Sequence, residues 1–249
     1  MEENDKISDD QKRISLLDVV RDNLQRQEKT QIIYRVIVCG EIVRNQLVNQ
    51  TTQNFQNDVG VHHQKFFKQF QVENEMITGL LILHTSSWIH ILEASQPVAI
   101  SYLKELDSNN SKALVKSIKV LLLQEDIRER CYPYWASRSI DFNLGEGDKE
   151  FDDNRLQGDE LVKTVTDLSV TMLKLGTNLS NLAKDLIKPA LDDLAEKYRH
   201  MIPFPELITA LSNCDSIINL KDWLETFQGH ISWVSESEIV WPAQKLLVV

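Results

Sequence analysis

The chain has 249 residues, of which 42% are hydrophobic, and a formal net charge of −10. This length and composition allow one large domain, or a smaller domain with extensions, around a substantial buried core. The acidic charge argues against general nucleic-acid binding, because a phosphate backbone requires a basic face, and equally against broad docking on an anionic membrane.

Cysteine usage and hydropathy predict a soluble, intracellular protein. Cys39, Cys131 and Cys214 lie far apart without metal-type spacing, and so sparse and odd a number is typical of a reducing compartment. The acidic start over residues 1–5 is unlike a signal peptide. No apolar run approaches the roughly 18 residues that a membrane span requires.

The first 60 residues are predicted to hold one helix and one strand. Residues 1–13 are polar and are expected to be disordered or loosely attached. An apolar stripe begins after Ser15, a possible N-cap, and predicts a short helix over about residues 15–28. Residues 31–39 are dominated by β-branched side chains and predict a strand, whereas the polar residues 44–60 predict a long loop.

The middle of the chain carries the pattern of a β-hairpin. Two apolar runs, Leu80–Leu83 and Trp88–Leu92, flank the short polar segment His84–Ser87. Neither run alternates cleanly, so both are expected to be central strands that are covered on at least one face. Gly79 marks either a kink at the start of a strand or a close approach of backbone or ligand.

Helices and strands on both sides of the hairpin complete a mixed α+β pattern. Residues 61–72 carry apolar side chains at helical spacing, and Pro97 begins a further helix. Strands follow at 118–123 and 131–142, and Pro133 indicates either an edge strand or an irregular start of the strand. The predicted order is a ferredoxin-like β-α-β-β-α-β-β sheet with helices on one face, which is a split βαβ unit with one added strand.

The C-terminal part reads as mainly helical. Eight apolar residues recur at alternating spacings of four and three, namely Leu161, Val165, Leu168, Met172, Leu175, Leu179, Leu182 and Leu186. This seam predicts a long helix that kinks or restarts at Pro189. Its widened stripe favours packing on the protein's own core, with an intermolecular helix contact as the alternative. Short helices are predicted near 203–211 and 220–227, and short strands at 230–234 and 238–241.

These patterns divide the chain into four predicted segments. Residues 1–29 form an N-terminal tail with a short helix, and residues 30–142 form the α+β domain. Residues 143–159 are acidic, contain glycine and are the best linker candidate. Residues 160–249 form a helical extension that ends in short strands.

Motifs of the predicted sheet resemble the BLUF family, the flavin-binding blue-light sensors. Ile77–Leu81 resembles its Ile/Val-Thr-Gly-x-Leu strand, and the strand that ends in Leu92–Ala94 resembles its Phe-x-Gln-x-Leu-Glu-Gly strand. Arg130–Trp135 resembles its late Arg-x-Phe-x-x-Trp-x-Met motif, with Ser137 in place of the Met. The resemblance covers residues 31–142 and implies a BLUF-type fold for that stretch.

The positions that would carry flavin chemistry differ from the family pattern. Val38 stands where the first-strand Tyr of the Arg-x-x-Tyr pattern belongs, and valine can neither donate a hydrogen bond nor pass an electron. His90 stands at the position of the light-sensing Gln, where an imidazole can hydrogen-bond a flavin but lacks the tautomer chemistry of an amide. The family Asn that bonds the pyrimidine edge falls at residue 71 or 72. The flavin-equivalent positions implied by the resemblance are Arg35, Val38, Gln71, Asn74, His90 and Trp135.

A second resemblance extends into the C-terminal part. The BLUF-like core, followed by Met172–Gly176, Ile202-Pro203 and Ser237–Pro242, is similar to a family of testis-expressed proteins that belongs with sperm and motile-cilium proteins. It implies a non-enzymatic structural or interaction protein of the ciliary or flagellar axoneme, without a cofactor. The implied partners are other axonemal proteins, in a microtubule-associated complex. Because microtubules are themselves acidic, contact with tubulin would need a local patch or another protein in between.

The alternative function is a flavin-binding light or redox sensor of BLUF type, with FAD bound and His90 replacing the Gln. An enzyme is not expected, because the sequence shows no Gly-rich phosphate loop, no His-Glu-x-x-His and no Ser nucleophile elbow. No catalytic or metal-binding residue is therefore assigned.

Three further features have both a functional and a structural interpretation. His62 and His63 are adjacent, so on a helix they point apart and form a poor metal pair. Cys39 is either a reactive thiol or a buried, inert strand-end cysteine. The lysines at 112, 116 and 119 form either a basic patch or an ordinary solvated face.

Overall fold

The computed structural model describes residues 15–26, 31–43, 52–71, 75–108, 114–140 and 156–229. The strands are β1 (Ile33–Ile42), β2 (Thr78–Leu83), β3 (Ser87–Ser95), β4 (Val115–Gln124) and β5 (Trp135–Ser139). The helices are α1 (Leu16–Arg26), α2 (Thr52–Gln71), α3 (Gln96–Leu106), α4 (Gly158–Ser180), α5 (Lys184–Asp192), α6 (Leu194–Lys197), α7 (Pro205–Ser212) and α8 (Leu220–Gln228), with a 3₁₀ turn at Arg199–Met201.

The five strands form one sheet in the order β4-β1-β3-β2-β5. All neighbouring pairs are antiparallel except β2 and β5, which are parallel. The predicted hairpin is β2–β3, and its turn is closed by a hydrogen bond from His84 N to Ser87 O of 2.8 Å. The element order β1-α2-β2-β3-α3-β4-β5 confirms the predicted ferredoxin-like fold.

The sheet is buried on both faces. The near face packs against α2 and α3, and the far face packs against α4, α5 and α7. Far-face residues include Ile37, Cys39, Leu80, Ile82, Ile89 and Ile91. Near-face residues include Val36, Val38, Leu81, Leu83, Trp88 and Leu92. Double burial explains why the hairpin sequence shows continuous apolar runs and no alternation.

The leucine-rich seam of α4 covers the far face together with α5 and α7. Leu168, Met172, Leu175 and Leu179 are buried in the same cluster as the far-face strand residues. The seam therefore packs on the protein's own core, which was the favoured interpretation. The last helix, α8, instead joins the near-face cluster through its buried residues.

The seam does not continue as one helix to Leu186. α4 ends at Ser180 and α5 begins at Lys184, so the helix breaks before Pro189, which lies inside α5. Leu186 is 51% exposed. The break turns α5 so that a different set of its residues, Ile187, Ala190 and Leu191, is buried.

Two other predicted boundaries were wrong. α2 begins at Thr52, although residues 44–60 were predicted as a loop. Val59 is buried on the same stripe as Phe67, and the polar composition of residues 52–60 concealed about two and a half further turns of helix. The last strand covers only Trp135–Ser139, because the amides of Cys131 and Tyr132 donate to the Glu93 carboxylate and leave no ladder there.

Of the two interpretations of Gly79, a kink at the start of a strand or a close approach, the structure supports a close approach of the β3 backbone. The φ of Gly79 is +145°, and a Cβ at this position would lie 2.1 Å from Ile91 O on β3.

Ser15 caps α1 as predicted, since its Oγ accepts from Asp18 N at 3.2 Å. The predicted strands at 230–241 lie outside the described residues. Within the described ranges, no helix combines the length and apolar character that crossing a bilayer demands.

Candidate functional site

A cluster of buried rings fills the near face between the sheet and its two helices. α2 supplies His63 and Phe67, α3 supplies Tyr102, β3 supplies His90 and β5 supplies Trp135. We call these five residues the ring cluster. Their neighbouring centroids lie 5.1–6.2 Å apart in tilted or edge-on arrangements, which is the preferred geometry for aromatic contact.

Four of these rings are joined by a single line of hydrogen bonds. Trp135 Nε1 contacts His90 Nε2 at 3.0 Å, and His90 Nδ1 contacts Tyr102 Oη at 2.7 Å. Tyr102 Oη contacts His63 Nε2 at 3.0 Å, and His63 Nδ1 contacts Val59 O at 2.8 Å. The line thus runs from β5 through β3 and α3 to α2.

The two ends of the line fix the direction of every bond in it. An indole N–H can only donate and a backbone carbonyl can only accept. His90 Nε2 must therefore accept from Trp135, so a neutral His90 carries its proton on Nδ1 and donates to Tyr102. The Tyr102 hydroxyl then donates to His63 Nε2, and His63 Nδ1–H donates to Val59. Both imidazoles are neutral and share the same tautomer.

Burial favours these neutral imidazoles. It lowers the pKa of His63 from 6.5 to about 4 and the pKa of His90 well below 6.5, because desolvation penalises the imidazolium form. Burial also raises the pKa of Tyr102 well above 10. The line is consequently uncharged at neutral pH, and a second proton on His90 would point a donor at the Trp135 donor.

The flavin-equivalent positions divide between the two faces of the sheet. Val38 lies directly opposite His90 in the β1–β3 ladder, and Trp135 is bonded to His90, so these three residues come together on the near face. Gln71 is the last residue of α2, and its side chain is outside what the structure describes, as is Asn74 altogether. Arg35 is separated from the others because it points to the far face.

On the far face Arg35 belongs to a buried ionic cluster centred on Glu93, whose side chain is fully buried. Arg35 Nη2 lies 2.7 Å from Glu93 Oε1, and Arg35 Nε donates to the same oxygen at 2.8 Å. Thr78 Oγ1 donates to the other carboxylate oxygen at 2.8 Å, and Cys131 N donates as well. Arg130 donates to the Glu93 carbonyl. The BLUF-like motif residues on four segments thus meet in an interaction that holds the sheet together.

The sequence did not single out His63 and Tyr102 as members of a site. Tyr102 was not assigned to any site, and His63 was considered only as half of a metal pair. One signal was available, since His63 stands on the same stripe of α2 as Val59 and Phe67. His62 points away from it, toward Glu105 at 3.3 Å, as its neighbouring position predicts.

The lysines at 116 and 119 do not form a shared basic patch. Lys119 is buried and donates to Ile217 O at 2.9 Å, while Lys116 pairs with Glu41 at 3.2 Å. A bulge around Ser117, whose φ is +52°, changes the alternation of β4 between the two lysines. Residue 112 lies outside the described residues.

Neither the Cys39 thiol nor the possible metal ligands form a reactive site in the described part of the chain. Cys39 is fully buried, and desolvation raises its pKa to about 12, which agrees with the inert interpretation. In the part of the chain that the structure describes, no three His, Cys, Asp or Glu side chains are grouped to hold a metal ion.

The chain matches the model of one protein family over most of its length. That family is testis-expressed protein 47, and the match covers residues 32–229. It spans the sheet, both near-face helices and the helices on the far face.

Solved structures similar to this chain include light-responsive proteins and BLUF domains. A bacterial light-regulated adenylyl cyclase is 22% identical over 57% of this chain, with a TM-score of 0.34. This chain covers only 36% of that protein's length. BlsA in its photo-activated state is 16% identical, with 66% of this chain and 95% of that chain covered and a TM-score of 0.35. The BlrP1 BLUF domain, from Klebsiella pneumoniae, is 14% identical, with 70% and 97% covered and a TM-score of 0.33.

Proposed function

This chain belongs to the testis-expressed protein 47 family, and we propose that it is a non-enzymatic structural or interaction protein of the ciliary or flagellar axoneme. In this proposal the BLUF-like sheet is a protein-binding scaffold that holds no flavin. The family name is consistent with a sperm or flagellar setting, which supports the proposed location.

The observation that carries the proposal is the ring cluster. The BLUF resemblance implies a flavin against the helices over the sheet, and in this chain Phe67 and Tyr102 pack between those helices and the sheet, where they are 2% and 1% exposed. A flavin there would have to displace both rings, at a cost of roughly 1.5–3 kcal/mol for each buried side chain. His90 also has no free ring nitrogen to offer, because Tyr102 and Trp135 engage both.

Charge bears on how such a scaffold would meet a microtubule. The net charge of −10 opposes direct contact with an acidic tubulin surface. The burial of Lys119 and the pairing of Lys116 with Glu41 remove the local basic patch that direct contact would use. Attachment through another axonemal protein is therefore the route we propose.

The absence of flavin is tested by purifying the full chain from a flavin-rich host. The expected product is colourless and releases no flavin on denaturation. The BlrP1 BLUF domain, prepared in parallel, serves as the positive control for flavin loading. A stoichiometric flavin in this chain would contradict the proposal and favour a sensor in which His90 replaces the Gln.

Flavin exclusion has two proposed causes, the exchanged residues at positions 38 and 90 and the rings that fill the space over the sheet, and a double variant distinguishes them. Val38→Tyr combined with His90→Gln restores the phenol and the amide of the family pattern but leaves Phe67 and Tyr102 in place. We expect this variant to remain colourless, because the space is still filled. Flavin uptake by this variant alone would show that the two exchanged residues, and not the filled space, exclude the ligand.

The axonemal setting is tested by proximity labelling with the full chain in a ciliated cell. Axonemal proteins are expected to be enriched relative to the labelling enzyme expressed alone. Neighbours drawn from other compartments would contradict the localisation while leaving the flavin result untouched.

A further inference from the structure

β4 lies at one edge of the sheet, and described residues cover only part of its outer side. Val120 N donates to Ile218 O at 3.3 Å, and Lys119 forms an isolated antiparallel bridge with Asn219. Beyond this point, residues 121–124 have β1 as their sole strand partner within the described ranges. An edge with unpaired backbone groups is a template for a further strand.

Apolar clefts flank this edge on both faces of the sheet. Their volumes are about 660 Å³ on the near face and about 580 Å³ on the far face, and Leu121, Leu122 and Ile218 line both. The near-face cleft is also lined by Tyr34, Ile100, Trp223 and Phe227, and the far-face cleft by Leu161, Val162, Val165, Val170 and Leu173. Phe227 and Val162 are 61% and 65% exposed, so apolar surface remains here for another segment to bury.

The described chain ends beside the same edge. α8 begins next to Ile118, where Leu220 lines a cleft with it, and ends next to Leu123, where Phe227 lines a cleft with it. α8 and β4 therefore run in the same direction, and the chain leaves α8 at the C-terminal end of β4. Residues 230–249 follow.

We propose that this C-terminal segment, which lies outside the described residues, is the occupant of the β4 edge. In this proposal residues 230–234 add to residues 121–124 as an antiparallel strand, because a chain that leaves at the end of β4 can return along it only in the opposite direction. Residues 121–124 span about 13 Å of strand, and the five residues 230–234 are long enough to cover that distance. Strand addition supplies main-chain hydrogen bonds, and side chains in the clefts supply apolar burial.

The sequence of the segment fits such an edge. Ile231 and Trp233 are two residues apart, so in a strand both point to one face and can enter one cleft. Val234 points to the other face and can enter the other cleft. The segment thus offers apolar groups to both sides of β4, where both sides have apolar surface exposed.

Hydrogen exchange of the β4 amides tests the proposal. In the full chain, the outward amides of residues 121–124 are expected to be protected. A chain that stops after Gly229, and full-length Trp233→Asp, are each expected to exchange these amides roughly tenfold faster or more. The inward amides of β4, which bond to β1, are the internal control for an intact sheet.

Leu247→Asp is the matched tail variant, since it adds the same charge outside residues 230–234 and is expected to leave exchange unchanged. Fast exchange of the outward amides in the full chain would overturn the proposal. So would undiminished protection in both the shortened chain and Trp233→Asp. Protection that rises with protein concentration, together with a dimeric mass by light scattering, would also overturn it by identifying a second copy as the occupant.

Discussion

Tyr102 connects the two halves of the ring cluster, because its hydroxyl accepts from His90 Nδ1–H and donates to His63 Nε2. Its ring is fully buried between the same two histidines. Removing that one oxygen would leave a buried donor and a buried acceptor without partners. The cluster therefore behaves as a unit in which each member depends on both neighbours.

Tyr102→Phe is expected to lower the free energy of unfolding by about 2–4 kcal/mol, because two buried polar groups lose their partner while the ring remains. Urea unfolding at neutral pH measures the change. Tyr134→Phe is the matched control, since Tyr134 is 39% exposed and should change stability by less than about 0.5 kcal/mol. Equal effects of the two variants would contradict the assigned line of bonds.

Arg35 has an equally local role on the far face. Because its charge is buried against Glu93, Arg35→Met is expected to cost about 3–5 kcal/mol by leaving the carboxylate uncompensated. Arg138→Met is the comparison, because Arg138 pairs with the half-exposed Asp192 at 2.9 Å and should cost no more than about 1 kcal/mol. Denaturant unfolding of both variants gives the difference, and a small loss for Arg35→Met would show that Glu93 is satisfied without it.

Among the elements, the β2–β3 pair depends on a glycine for its close contact. Gly79 has a φ of +145° and no room for a Cβ, since Ile91 O would lie 2.1 Å away. The backbone cannot move without disturbing Thr78, whose side chain bonds Glu93 in the neighbouring position. The hairpin and the buried ionic cluster are thereby coupled.

Gly79→Ala is expected to destabilise the protein by about 3 kcal/mol or more, through backbone strain and the clash with Ile91. Gly158→Ala separates these two causes. Gly158 has a φ of +52° but no atom within 4 Å of a Cβ, so strain alone applies there and the loss should be about 1 kcal/mol. Thermal unfolding of both variants measures the contrast, and similar losses would mean that the clash is relieved.

For the molecule as a whole, the buried histidines predict a pH dependence of stability. The unfolded chain binds protons near pH 6.5, whereas the folded chain binds them only near pH 4 at His63 and well below pH 6.5 at His90. Because the unfolded state then holds more protons, stability is fully present above about pH 6.5 and is lost as the pH falls. Between pH 6.5 and 5 the loss is at most about 2 kcal/mol for each histidine.

The measurement is the free energy of unfolding at several pH values in that range. His63→Gln should reduce the slope, whatever its effect on stability at neutral pH, because one of the buried imidazoles is removed. His200→Gln, at an exposed position, should leave the slope unchanged. A slope that is the same in all three proteins would contradict the neutral line of rings.

The stability of the sheet is also predicted to depend on the C-terminal helices. Residues 30–142 alone would expose the far-face residues, among them Ile37, Leu80 and Ile89, which α4 and α7 bury in the whole chain. Each costs about 1.5–3 kcal/mol to expose, so the five aliphatic far-face positions of the strands together are comparable with the roughly 5–15 kcal/mol of total stability of a typical domain. The fragment is therefore expected to aggregate or to lack a cooperative transition, as followed by light scattering and thermal unfolding. A soluble monomer with a sharp transition would show that the near-face core is sufficient.

Much of the fold could be predicted from local sequence pattern. The strand at Ile33–Ile42, the hairpin around His84–Ser87 and the α4 seam each follow from residue spacing within one element. The boundaries of α2 could not, because Val59 joins its apolar stripe only when the near face is present to bury it. The end of α4 at Ser180 could not be predicted from the pattern either, because the apolar spacing of the seam continues past the residue at which the helix ends.

Residue pattern and composition were sufficient to predict the order of the strands and helices of the sheet, the acidic charge, and the replacement of a phenol and an amide by Val38 and His90. The tertiary structure alone decided that Arg35 faces away from His90, that α4 covers the far face, and that His63 and Tyr102 complete the ring cluster. The physical reason is that spacing along a chain tells which side of an element is buried, but not against which other element. Hydrogen-bond direction in the ring cluster is set by Trp135 at one end and Val59 at the other, and only the folded chain brings those two ends onto one line.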